Sequence, residues 1–189
     1  MEIKHAPLDD TATDKESLQF LYGLIQYLQP SLIIESGTYT GHFALFAQKA
    51  SPGSLIYTAD PRQYHEKTLT ELYELNGLDT RTLIEYRGTF EEMLEEYRDR
   101  LYKKVRLAFV DSGPPFNLDG RMYLDENDET VHSIRWHDYL LAKEFVGYGG
   151  FVVVHDMNQA GWPGHIEMWK EGIHLNGGRG VTIHQVREI

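Results

Sequence analysis

The chain contains no cysteine, which excludes disulfides, zinc–thiolate centres and thiol nucleophiles before any motif is considered. It is also poor in positive charge: 18 Lys and Arg stand against 29 Asp and Glu, for a formal net charge of −11. Nucleic acid and anionic membranes are bound through clustered Lys and Arg, so this balance argues against both as partners. No apolar run approaches the length of a membrane span, and the opening Met1-Glu2-Ile3-Lys4-His5 lacks the apolar region of a signal peptide. Repeats, low-complexity tracts and interdomain linkers are missing as well. These absences leave the expectation of a single cytoplasmic domain over residues 1–189; they say little about a small-molecule partner and do not choose between a monomer and a homodimer.

The most informative stretch present is Leu32-Ile33-Ile34-Glu35-Ser36-Gly37-Thr38-Tyr39-Thr40-Gly41. An apolar β-type run ends on a carboxylate, a turn with two glycines follows, and Phe43-Ala44-Leu45-Phe46-Ala47 continues as a helix. Glycine adopts φ values that other residues avoid and lets the backbone come close to a ligand. The helix behind it offers free N–H groups and the positive end of its dipole. A strand, glycine turn and helix opening a parallel sheet make a cradle for a nucleotide or cofactor.

Leu18, Leu21, Leu24, Ile25 and Leu28 recur at helical spacing until Pro30 stops the helix. Strands are expected at 32–34, 55–59, 82–86, 105–110 and 151–154, with a single last strand at 181–186. Leu69, Leu72 and Leu75 mark a helix closed by Gly77. Thr89 and Glu92 have capping-box spacing, with Phe90, Met93, Leu94, Tyr97 and Leu101 as the apolar stripe behind. Ile134, Leu141 and Phe145 line a further helix, after which Gly149-Gly150 lead into a strand apolar on both faces. Ile166, Trp169 and Ile173 mark a short helix before the last strand. Strands alternating with helices predict an α/β fold: a Rossmann-like, mostly parallel sheet flanked by helices.

The five firm strands end in Glu35, Asp60, Gly88, Asp111 and His155-Asp156. In an open parallel sheet these ends share one edge, where ligands bind. A carboxylate also suits any strand that runs out into solvent, so each acid alone has a structural explanation; with the glycine turn, the set points to a site. Asp60 follows the turn at the interval that reaches ribose hydroxyls, both of which can donate to one carboxylate. Gly88-Thr89 open a helix beside which an adenine edge fits. Asp111 and Asp156 could hold a hard divalent cation, with Asn158 or His155 completing its shell. The alternative leaves His155-Asp156 as a strand end hydrogen-bonded to its loop.

These residues resemble the class I S-adenosylmethionine-dependent methyltransferases, more narrowly the small O-methyltransferases related to catechol O-methyltransferase. The likeness spans residues 31–158. The family's acid-x-Gly-x-aromatic-x-Gly turn, which cradles the methionine part of the cofactor, is matched by Glu35, Gly37, Tyr39 and Gly41, with Thr38 between them. Its Ser-Pro-Gly before strand two is Ser51-Pro52-Gly53 here, and its ribose-binding acid aligns with Asp60. Its adenine-side turn aligns with Gly88 and Thr89, and its first metal-binding aspartate with Asp111. The strand-five pair becomes His155-Asp156-Met157-Asn158, which looks closer to a sugar and antibiotic methyltransferase branch.

The resemblance implies an N-terminal helical segment (1–30), a cofactor-binding half (31–111) and an acceptor-side half (112–189). It implies methyl transfer from S-adenosyl-L-methionine to a small-molecule hydroxyl, with Asp111, His155 and Asp156 as the catalytic set. A Mg²⁺-type ion on Asp111, Asp156 and Asn158 would acidify the acceptor, and His155 would be a base because its ordinary pKa lies near neutrality. Two departures stand out. Pro114 occupies the place of the family's usual Lys or His base, leaving His132 and His137 as further candidates. The C-terminal part reads as shortened, with one strand where the family has an antiparallel pair. The acidic segment 119–129 with Phe116, Tyr123 and Trp162 frames the acceptor pocket or its lid, or is a solvated loop. The alternatives are an NAD(P)-dependent oxidoreductase and a catalytically weak cofactor-binding domain. For the former, Tyr139-x-x-x-Lys143 has the spacing of short-chain dehydrogenases, but it precedes strand five, and Phe43 stands near where a third glycine belongs.

Overall fold

A computed structural model describes residues 13–62, 67–112, 134–158 and 165–187. Pro114, Phe116, Tyr123, His132, Trp162 and the acidic segment 119–129 lie outside the described residues.

The chain runs α1 (Lys15–Leu28), β1 (Leu32–Ser36), α2 (His42–Ala50), β2 (Leu55–Ala59), α3 (Leu69–Leu75) and β3 (Leu83–Tyr86). It continues through α4 (Phe90–Glu96), α5 (Arg98–Leu101), β4 (Val105–Val110), α6 (Ile134–Phe145), β5 (Val146–His155), α7 (His165–Glu171), β6 (Ile173–Leu175) and β7 (Val181–Gln185). The seven strands form one sheet in the order β3-β2-β1-β4-β5-β7-β6. β1 to β5 are mutually parallel, and β7 runs antiparallel to both β5 and β6. The order reverses between β1 and β4, so the ends of those two strands flank the crevice where such sheets bind ligands.

Each face of the sheet has its own core, as the apolar strands require. One packs α1, α2 and α3 through Leu18, Leu21, Ile25, Phe43, Leu45 and Leu72 onto Ile33, Leu107 and Val153. The other packs Phe90, Leu94, Leu101, Tyr139, Phe145 and Met168 onto Ile34, Ala108 and Val152. Local signals set several ends. Thr68 and Thr89 close reciprocal capping boxes with Glu71 and Glu92, and the Asp14 carboxylate accepts the Ser17 amide at the start of α1.

Three expectations change. Gly149-Gly150 do not precede β5 but lie inside it, where the pairing with β4 shifts register between Val105 and Leu107. Glycines inside a strand mark such irregularities, and a methyl group on Gly150 would meet the Arg106 carbonyl oxygen at 3.0 Å. Ile173 belongs to a strand, not to the helix of Trp169, so the sheet ends in an antiparallel pair and its C-terminal part is not shortened by a strand. A strand of three residues is too short to show a period, and Gly172 separates it from α7. On α6 the buried stripe is Arg135, Asp138, Tyr139, Ala142 and Phe145, while Ile134 and Leu141 are half-buried. The apolar pattern was out of phase because the core-facing stripe carries charge.

Candidate active site

β1 delivers Glu35 and Ser36 to the sheet edge, and the next five residues turn sharply. Gly37, Tyr39 and Gly41 all have positive φ, at 86°, 45° and 78°. At Gly37 no side chain fits: a methyl group would lie 2.5 Å from the Asp111 carbonyl oxygen. At Gly41 it would collide with Leu69. Gly41 is also the N-cap of α2 and brings no side-chain hydrogen bond to it, so the first amides of that helix depend on other acceptors.

The turn is held from β2. The Tyr39 amide donates to Asp60 Oδ2 at 3.0 Å and the Arg62 amide to Asp60 Oδ1 at 2.9 Å, while the Thr38 and Thr58 hydroxyls pair beneath. Burial pushes the Asp60 carboxyl up against these two amide bonds, which pull it down. Glu35 is wholly enclosed, and its Oε2 has no hydrogen-bond partner. Burial drives its carboxyl far above the usual range; the Thr58 hydroxyl opposes this, and the charges of Asp111 and Asp60 add to it.

At the ends of β4 and β5 the polar groups interlock. His155 is fully buried, with Nδ1 2.9 Å from Asp111 Oδ1 and Nε2 2.8 Å from Asp14 Oδ2. Both ring nitrogens face carboxylates, so the ring is an imidazolium. Burial alone would lower its pKa, but the Asp111 charge and the two hydrogen bonds win and raise it to about 9. Asp111 is held below the ordinary carboxylate range despite its burial by His155 and Arg135. Asp14 is likewise held down, against its burial, by His155, by both the amide and the hydroxyl of Ser17, and by the Arg179 amide.

Arg135 completes the set from α6, with only 2% of its surface exposed. It donates to Asp156 Oδ2 at 2.9 Å, to Asp111 Oδ1 at 3.3 Å, and to the carbonyls of His155 and Ser112. Asp156 takes a positive φ of 63°, and its Oδ1 lies 3.0 Å from Arg179 Nε. Thr13 donates to Asp111 Oδ2 at 2.9 Å. Next to this group the Ser36 hydroxyl donates to Asp138, whose carboxyl is raised by burial.

No protein-family model matches the sequence, and a search of curated proteins finds no match. Solved structures do match. The O-methyltransferase TomG from Streptomyces achromogenes, solved in complex with SAM, superposes with a TM-score of 0.71 at 16% identity, over 96% of this chain and 84% of that one. An O-methyltransferase from Bacillus cereus in complex with SAH gives 0.64 at 16% identity, over 98% and 84%. A methyltransferase from Geobacter sulfurreducens gives 0.65 at 14%, over 94% and 81%.

The fold is that of the class I methyltransferases.

Within this methyltransferase fold the sequence-predicted residues divide. Glu35, Gly37, Thr38, Tyr39, Gly41 and Asp60 converge on one turn, and Asp111, His155 and Asp156 form one cluster whose ligand-type atoms lie within 4.8 Å of one another. Asn158 is not in that cluster: its Nδ2 donates to the carbonyls of Asn176 and Gly178, and its Oδ1 accepts from His174. Thr89 is engaged by its capping box, its amide donating to Glu92 Oε2 at 2.8 Å; at Gly88 a methyl group would strike the Tyr86 ring. Both ring nitrogens of His155 lie within hydrogen-bond distance of carboxylates, Asp111 and Asp14. His137 sits half-exposed against Glu91 on α4. Tyr139 and Lys143 both converge on Glu171 of α7, at 2.8 and 2.9 Å, and serve as a clamp between helices. Phe43 stacks on Phe109 at 4.3 Å, filling the space a third glycine would have left.

Sequence patterns missed Thr13, Asp14, Arg135, Asp138 and Arg179. The one available signal was on α6, where Arg135 and Asp138 share the face of Tyr139, Ala142 and Phe145. Charge on a core-facing stripe demands a buried partner.

An adenosyl cofactor fits this rim. At Gly37 the backbone turn passes too close to Asp111 for any side chain, and buried Glu35 Oε2 has no hydrogen-bond partner among the described residues, a polar group left for a ligand. Among the described residues, the acid pair is occupied by this chain's own cations rather than left open to a divalent metal. Arg135 and His155 already hold the carboxylate oxygens it would take, and Asn158 is engaged elsewhere. Among the described residues, no helix is long and apolar enough to cross a membrane.

Proposed function

We propose that this protein transfers a methyl group from S-adenosyl-L-methionine to a hydroxyl group of a small molecule. The observation that carries the reading is the left-handed Gly37–Tyr39–Gly41 turn, pressed against Asp111 at the switch point of the sheet. TomG and the Bacillus cereus enzyme, which share the fold, were solved with SAM and SAH. The oxidoreductase alternative loses its support, since its Tyr139–Lys143 pair is spent on Glu171.

In this reading Glu35, Gly37, Thr38, Tyr39 and Gly41 receive the methionine part. The Asp60 oxygens have spare lone pairs beyond the Tyr39 and Arg62 amides, enough to accept ribose hydroxyls. Past β3 the adenine side is left to Gly88 and its neighbours. When bound, the cofactor supplies an electrophilic methyl on a sulfonium, so the protein's work is alignment and exclusion of water, which can contribute about 7–11 kcal/mol. Asp111 and Asp156, immobilised by Arg135 and His155, form a rigid floor against which an acceptor hydroxyl can be oriented, and the proton the hydroxyl loses on methylation passes to solvent.

Calorimetric titration with SAM, SAH and NAD⁺, followed by labelled-methyl transfer across alcohols, phenols and sugars, tests the reading. Micromolar-class binding of SAH and none of NAD⁺ is expected. Binding of NAD⁺ alone, or of neither adenosyl compound, overturns it.

A further inference from the structure

The acid pair at the ends of β4 and β5 is where sequence chemistry expects a divalent cation, and side chains of this chain already stand there. Three carboxylates, Asp14, Asp111 and Asp156, interleave with three cationic groups, Arg135, His155 and Arg179. Asp111 Oδ1 accepts from His155 at 2.9 Å and Arg135 at 3.3 Å, while Oδ2 accepts from Thr13. Asp156 Oδ2 accepts from Arg135 at 2.9 Å, and Oδ1 pairs with Arg179 at 3.0 Å. Three of the four oxygens of the pair therefore accept a hydrogen bond, and the fourth, Asp156 Oδ1, accepts none but faces the Arg179 guanidinium.

Arg135 cannot readily vacate this place. Its guanidinium is enclosed, and the same fork that bridges the two aspartates also donates to the His155 and Ser112 carbonyls. Moving it would take a donor from two backbone carbonyls and leave Asp156 Oδ2 without its hydrogen bond, which is costly when no water replaces it. A Mg²⁺-class ion needs about six oxygens at about 2.0–2.1 Å. Here it would have to enter between fixed positive groups, and the Asn158 amide expected to help is turned to His174.

We infer that Arg135, bridging Asp111 and Asp156 beside His155, is the resident cation of this rim, and that the rim takes no divalent metal. The positive charge that orients the carboxylates is built into α6 rather than borrowed from solution. Arg135 is thus a positioning residue: it acts through the two aspartates. The inference concerns the same rim as the proposed methyl transfer but is read without it, by metal binding alone, so the two can fail separately.

The experiment is titration of the purified protein with MnCl₂, following free Mn²⁺ by electron paramagnetic resonance. Wild type is expected to bind none at this rim at millimolar concentration. Arg135→Met is expected to gain Mn²⁺ affinity by at least about tenfold, and adding Asp156→Asn should abolish that gain. Stoichiometric Mn²⁺ binding by wild type that is lost in Asp111→Asn or Asp156→Asn overturns the inference, as does a folded Arg135→Met variant that gains nothing. If Arg135→Met does not fold, Arg135→Lys, which retains one cation, is expected to stay as metal-free as wild type; Mn²⁺ binding by it that Asp156→Asn removes counts against the inference.

Discussion

Asp14 and His155 meet at 2.8 Å across 141 residues of sequence. One carboxylate thereby caps α1 through the Ser17 amide, holds Nε2 of a buried imidazolium, and accepts the Arg179 amide of the loop before β7. The start of the first helix and the end of the fifth strand are fastened to one group, so Asp14 belongs to the same polar cluster as Asp111 and His155.

Replacing that group should cost more than a helix cap. Asp14→Ala removes the cap, worth about 1 kcal/mol, and leaves a buried imidazolium half-paired, for a total loss of about 3 kcal/mol. Asp14→Asn keeps an acceptor for the cap and should lose less. Urea unfolding curves of the two variants give the comparison; an Asp14→Asn variant as stable as wild type would mean that the charge at His155 contributes nothing.

The same cluster sets a pH window. His155 is raised from its ordinary 6.5 to about 9, so its contribution is complete below 6.5 and fades as the pH rises through about 9. Asp14 and Asp111 are depressed, so theirs is complete above the ordinary 3.8 and fades as the pH falls through their lowered values. The cluster's share of the melting temperature should therefore be flat between these limits and fall on both sides, superposed on the decline with rising pH that the raised carboxyls of Glu35, Asp60 and Asp138 impose. In His155→Gln the alkaline fall near pH 9 should vanish; an unchanged alkaline limb in that variant would exclude His155 as its source.

Gly37→Ala tests the turn. The φ of 86° is unfavourable for alanine, and the methyl group would press on the Asp111 carbonyl. We expect about 2 kcal/mol of lost stability and at least about a tenfold weaker SAH affinity by calorimetry. Unaltered SAH binding would move the cofactor away from this turn.

Tyr139→Phe removes the hydroxyl that reaches Glu171 and His184 and should cost about 1 kcal/mol. SAH affinity should not change, because the pair fastens α6 to α7. A variant that loses cofactor binding while keeping its melting temperature would return Tyr139 to the site.

Exhaustive dialysis against EDTA should leave both melting temperature and SAH affinity as they were, since Arg135 and His155 already neutralise the acid pair. A drop in either that Mg²⁺ restores would show that a metal belongs there.

Much of the frame was legible in the linear chain because its signals are local. The apolar runs of β1, β2 and β4, the glycine turn at 37–41 and the Thr89–Glu92 capping box each span only a few residues and act through backbone geometry. Together they fixed the alternation of strands and helices, hence a parallel sheet, hence a common edge for Glu35, Asp60, Asp111 and Asp156. What occupies that edge was decided only in three dimensions. Whether His155 holds or accepts a proton depends on Asp14 and Asp111, and whether Asp111 and Asp156 meet a metal or a guanidinium depends on the inward face of α6. Ionisation and charge pairing are set by what lies within a few ångströms in space, and spacing along the chain carries almost no record of it.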